Sequence, residues 1–173
     1  GNNTEILSVS GNNSGNVGVK YNSTGYADAI QNAFQDTSTN TGNTMLNNAV
    51  NALDAEGATR ADLGMTMAES ILDKNALKTD SKRKQLVIMF TDGSPTNSNG
   101  FEDDVANATI SASKNLKTQG TTVYTIGIFE GADPTSTSTK ENQYMNYVST
   151  NYPLAESLDN PKEGSNKGYY LAA

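Results

Sequence analysis

The chain has 173 residues, with 12 Lys/Arg against 19 Asp/Glu and a formal net charge of −7. Its length allows one domain with a real core, and its charge argues against a nucleic-acid partner, whose phosphates call for Lys/Arg clusters. With no Cys and no His, disulfides, thiolate chemistry, imidazole zinc sites and His-based acid–base catalysis are excluded, and any metal must be a hard, oxygen-bound cation such as Mg²⁺, Mn²⁺ or Ca²⁺.

The opening Gly1-Asn2-Asn3 reads as a cut within a loop, so an excised domain is expected. Residues 1–25 are expected to form an edge hairpin, from two short β-like pieces, Glu5–Ser10 and Val17–Tyr21, around a turn-rich centre. Tyr26, Ala29, Ile30, Ala33 and Phe34 recur at helical spacing, as do Leu46, Ala49, Val50 and Leu53. Asp62 to about Leu77 reads as a longer helix with Leu63, Met67 and Ile71 on one face. The basic run Lys82-Arg83-Lys84 reads as a solvated turn.

Gln85 to Thr91 follows as a strand. Its apolar run Leu86 to Phe90 suits a strand covered on both faces of a parallel sheet. The run stops at Thr91-Asp92-Gly93, which puts the Asp92 carboxylate at the strand's C-terminal end, where open α/β sheets bind ligands. Glu102 to Lys117 reads as an amphipathic helix, with Val105, Thr109, Ala112 and Leu116 inward, acids early and lysines late. Gly120 ends it. Thr122 to Phe129 is a second buried strand, Thr139 to Thr150 a helix with Tyr144 and Val148 inward, and Tyr169 to Ala172 a short last strand.

From Ala61 onward helix and strand alternate. This implies right-handed crossovers and a doubly wound, mainly parallel α/β sheet with helices on both faces. One domain over residues 1–173 is expected, since no linker divides it.

Gly57-Ala58-Thr59-Arg60-Ala61-Asp62-Leu63-Gly64, then the strand ending in Thr91-Asp92-Gly93, then Thr122-Val123-Tyr124-Thr125-Ile126-Gly127-Ile128, resemble a von Willebrand factor type A domain over roughly residues 45 to 173. The nearest branch is that of Gram-positive bacterial surface proteins, including pilus-tip adhesins. An Asn/Thr-rich, acidic, Cys-free composition agrees with that branch.

The resemblance implies a metal-ion-dependent adhesion site on an extracellular, cell-wall-attached domain. Such a domain binds a host or matrix protein through a cation, Mg²⁺ or else Mn²⁺ or Ca²⁺. Thr59 matches the family's second metal loop and Asp92 its third. Asp62, Gly93 and Ser94 flank them as candidates for touching the ligand. No membrane span is visible.

The family's main metal loop, Asp-x-Ser-x-Ser, occurs nowhere in the chain. One alignment places Ser8-Val9-Ser10-Gly11-Asn12 there. The favoured alignment makes Glu5–Ser10 the edge strand that normally follows the first strand, first helix and second strand. On that alignment the strand Leu86–Phe90 lacks its central neighbour. The missing segment is then expected from upstream sequence, a second chain or a swap, since buried backbone groups are not left unpaired.

Three functions are ranked on this reading. Metal-assisted protein binding comes first, a structural stalk domain with a degenerate site second. A phosphohydrolase is a distant third, because the Asp92 loop supplies neither a second carboxylate nor a Lys.

Overall fold

The computed structural model describes residues 58–74, 82, 84–92, 94–165 and 167–173. These lie in one compact unit, Ala58–Ala173. The expected edge hairpin, the two apolar stripes before Gly57, Arg83 and Gly93 lie outside the described residues.

The order is α1 (Ala61–Lys74), β1 (Leu86–Thr91), α2 (Asp103–Thr118), β2 (Thr122–Gly127), α3 (Lys140–Val148) and β3 (Tyr170–Ala172). Each falls within one to three residues of its sequence-derived bounds. The strands form a parallel sheet in the order β1-β2-β3. Val87 pairs with Val123 and Met89 with Thr125, while Thr125 also pairs with Tyr170. The α/β class therefore stands.

The core lies under the helices. Ile110 and Leu116 of α2, Met145 and Val148 of α3, and Val123 of β2 are all 0% exposed. Met65 and Leu72 of α1 join them, with Val87 and Met89 packed against the same cluster. All four inward positions expected of α2 are buried, as are Tyr144 and Val148 of α3. In α1 the stripe packed into this cluster is Ala61, Met65, Ala68 and Leu72; of the expected Leu63, Met67 and Ile71, Met67 is buried at 2% exposure and the other two are half-buried. Both rows have helical spacing, so periodicity alone does not choose between them. Contact with α2 does.

Buried polar groups tie the helices together. Lys117, in the last turn of α2, donates to the carbonyls of Tyr147, Val148, Ser149 and Tyr152 at 2.8–3.2 Å. Ser113 adds a bond to the Val148 carbonyl. The last turn of α3, whose carbonyls have no partner within their own helix, is thus capped from α2. Burial pushes the Lys117 ammonium down to about 7, and the carbonyl cage at the negative end of α3 opposes that shift. Gly120 ends α2 at φ 90, its N–H bonded to the Lys117 carbonyl at 3.0 Å.

One expectation fails. Among the described residues β1 is not covered on both faces: Leu86, Ile88 and Phe90 are 54%, 54% and 63% exposed. The cause is topological. From β1 to β2 to β3 the chain steps in one direction across the sheet, and right-handed crossovers then place α2 and α3 on one face. That is the face of Val87, Met89, Val123 and Thr125, where the Thr125 hydroxyl donates to the Met145 carbonyl at 3.0 Å. α1 packs on α2, on the same side. Among the described residues no helix covers the opposite face.

Candidate functional site

The site of interest is the C-terminal end of β1. The N–H of Ile128, just past β2, donates to the Thr91 carbonyl at 2.9 Å, so the two strands reach the rim together. Asp92 follows Thr91 and is exposed, and Ser94 is half-buried.

Thr59, half-buried, lies two residues before α1. Its carbonyl accepts from the Thr96 N–H at 3.0 Å. The loop before α1 and the loop after β1 are therefore joined, although 37 residues separate Thr59 from Thr96 in sequence. The loop that holds Thr59 and the loop that follows Asp92 thus meet at Thr96.

Asp62 is engaged internally. Arg60 grips its carboxylate with two parallel bonds, Nε to Oδ1 at 2.8 Å and Nη2 to Oδ2 at 2.6 Å. The pair is mostly shielded, with side-chain exposures of 23% and 12%. The carboxylate also sits in the first turn of α1, where the helix dipole favours it. These bonds occupy Asp62 before any ligand arrives. The third guanidine nitrogen of Arg60 donates to Asn97 Oδ1 at 3.1 Å.

The far end of the Asp92 loop is held by Glu102, the residue before α2. Its N–H donates to the Pro95 carbonyl at 2.9 Å. Its carboxylate does not cap its own helix but turns back over the loop. There it accepts from the Asn97 N–H at 2.7 Å, the Ser98 N–H at 3.2 Å and the Ser98 hydroxyl at 2.6 Å. The Ser98 hydroxyl and the Asn97 N–H hold its carboxyl below the usual range. Sequence reasoning passed over Arg60, Asn97 and Glu102. The signal available was an Arg-x-Asp step at a helix start, which is common and therefore weak.

The neighbouring loop, between β2 and α3, is anchored on Asn142. Its Oδ1 accepts from the Asp133 N–H at 2.9 Å and the Tyr170 hydroxyl at 2.7 Å, and its Nδ2 donates to the Gly131 carbonyl at 2.9 Å. Asn146 and Asn151 continue this buried amide network, joined at 2.9 Å. Lys140 bridges to Asp103 at 2.7 Å, linking the starts of α3 and α2.

The rim suits a hard cation in kind. The carboxylate of Asp92 and the hydroxyl of Thr59 are groups of the kind a hard cation takes. The Thr96 hydroxyl is buried beside the Thr59 loop with no hydrogen-bond partner among the described residues, so the rim holds an unspent oxygen donor. In number the set is partial: among the described residues no group of three or more acidic side chains could hold a metal, and Asp92 is the one carboxylate that the metal-binding expectation places at this rim. No helix among them is long and apolar enough to cross a membrane.

A family model described as von Willebrand factor type A domain matches residues 5–160. The match reaches well upstream of residue 45, where the motif resemblance began. No curated protein and no solved structure matches the chain.

Proposed function

We propose that this chain, which belongs to the von Willebrand factor type A domain family, binds an acidic group of a partner protein through a hard cation at the β1 rim. Domains of this family are protein-interaction and adhesion modules, usually without enzymatic activity, and they often bind a divalent metal. Thr59 and Asp92 are the residues that would hold the cation, with the remaining ligands coming from outside the described residues. The cation supplies a positive charge between two acidic surfaces. A chain of net charge −7 otherwise repels a carboxylate partner. Ser94 and Gly93 would flank the bound group. The acidic, Asn/Thr-rich, Cys-free composition supports a bacterial cell-surface setting and a host or matrix protein as partner.

The observation that carries this reading is the 3.0 Å bond from the Thr96 N–H to the Thr59 carbonyl. It brings two loops with hard-cation donors to the same end of the sheet. The test is thermal unfolding of the whole chain with and without Mn²⁺ or Mg²⁺. A cation at 100 times its Kd stabilises by about 2.7 kcal/mol, and Asp92→Ala removes the gain. An unchanged melting temperature at millimolar cation would favour the second reading, a stalk domain with a degenerate site. The lack of an Asp-x-Ser-x-Ser run in the sequence supports that reading.

The sheet's first strand bears on the partners as well. β1 is an edge of the described sheet, with Leu86, Ile88 and Phe90 largely exposed. This supports completion of the sheet by a further segment, from upstream sequence, a second chain or a swap. Light scattering together with amide exchange separates these sources. A monomer with strongly protected β1 amides would rule out the second chain and the swap.

A further inference from the structure

We infer that Arg60 and Glu102 are positioning residues that clamp Asn97 from two sides and so hold the Asp92 loop against Thr59. The clamp is visible as a chain of bonds. Asp62 fixes the guanidinium of Arg60 through two of its nitrogens, at 2.8 and 2.6 Å, and the third reaches the Asn97 side chain at 3.1 Å. The Asn97 backbone N–H points the other way, into the Glu102 carboxylate at 2.7 Å. One residue is thus gripped by its side chain from the start of α1 and by its backbone from the start of α2. Its neighbour Thr96 makes the bond to Thr59.

The planar fork of Arg suits this task. It spends one edge on a carboxylate and keeps a nitrogen for a second partner, which the point charge of Lys cannot do in the same geometry. Asn97, Ser98 and the carboxylate of Glu102 meet solvent. Bonds of this kind add little to global stability, since water competes for each of them. Their effect is on where the loop sits. A cation site depends on groups that hold its ligands in place, and loss of one such group typically weakens metal affinity by roughly 10- to 100-fold.

This inference takes its purpose from the metal-binding reading above, and its test separates the two. Arg60→Lys preserves the charge and loses the fork. Asn97→Ala is neutral and removes the acceptor. Neither change alters the electrostatic repulsion or attraction felt by a cation, so a loss reports geometry. The probe is Mn²⁺ alone, titrated into the whole chain and followed by its electron paramagnetic resonance signal.

Each substitution is expected to weaken Mn²⁺ binding by roughly 10-fold, with the melting temperature held within a degree or two of the unmodified chain. The double variant should be no weaker than either single one, because both break the same contact. Additive losses, or none, overturn the clamp. Amide exchange gives a readout independent of metal. Arg60→Lys should speed exchange at Thr96, and Glu102→Gln at Asn97 and Ser98. If the unmodified chain does not bind Mn²⁺, the metal reading falls and exchange alone decides: unchanged protection at Thr96 in Arg60→Lys overturns the clamp, and lost protection upholds it.

Discussion

β1 and β2 run side by side in register over six residues each, from Leu86 with Thr122 to Thr91 with Gly127, yet their surroundings differ in the opposite sense to their composition. β1 is the more apolar, with five apolar residues in succession. Even so, its Leu86, Ile88 and Phe90 are more than half exposed, while Val123 and Thr125 of β2 are fully buried. β2 has a strand on each side and helices α2 and α3 over one face. β1 has one strand neighbour among the described residues and no helix over its outer face. Apolar character records what environment a strand suits, and position in the sheet decides what environment it has.

The contrast can be tested by substitution, beginning where burial is complete. Leu116→Ala removes a fully buried side chain from the layer above β2. It should cost about 2–5 kcal/mol, read as a shift in the urea midpoint at constant slope. A loss below 1 kcal/mol would mean that this layer is not the core.

Next in size is Lys117→Met, which keeps the apolar stem and removes the ammonium from its carbonyl cage. Leaving those buried acceptors without their donor should cost about 1–3 kcal/mol at pH 7. The pH profile carries a sign. The folded pKa, about 7, lies below the ordinary 10.5. Between those values the unfolded chain holds a proton that the folded chain has shed, so stability rises with pH from about 7 toward 10.5. Lys117→Met should flatten that rise. A flat profile in the unmodified chain would mean that the carbonyls hold the proton against burial.

Thr125→Val is smaller. It keeps the shape and removes one buried bond to the Met145 carbonyl, for a loss of about 1 kcal/mol. Calorimetry resolves it, and an unchanged midpoint would show that bond to be dispensable.

The smallest effect is expected on the open face. Phe90→Ser, at a position 63% exposed, should stay within about 0.5 kcal/mol. A loss of 2 kcal/mol or more would break the comparison, because it would mean that the outer face of β1 is covered in the folded chain.

Much of this architecture was legible beforehand. The six described elements follow from periodicity and from punctuation by Gly and polar runs, as at Gly120, whose positive φ ends α2. Thr59 and Asp92 stood out because a hydroxyl before a helix and a carboxylate after an apolar strand are local patterns. The inward stripe of α1 was legible only in part: Leu63, Met67 and Ile71 also recur at helical spacing and Met67 is buried, but the cluster with α2 is built on Met65, Ala68 and Leu72, and only packing on α2 selects that row. Arg60, Asn97 and Glu102 left at most a weak local trace, the Arg-x-Asp step before α1. Their bonds link positions as far as 37 residues apart, and each residue taken alone reads as an ordinary solvated side chain. The buried amides of Asn142, Asn146 and Asn151 were hidden for a related reason: their cost of burial is offset by partners supplied from other loops.

By itself the sequence determined the alternation of helix and strand, the family, and the placement of a carboxylate at the tip of the most apolar strand. Those depend on local spacing and on residues close in the chain. Only the tertiary structure decided which face of β1 lies open, which stripe of α1 enters the core, and that the Thr59 loop meets the loop after Asp92. Each of these depends on which distant elements come together, and the direction in which right-handed crossovers step across the sheet settles that for the whole layer at once.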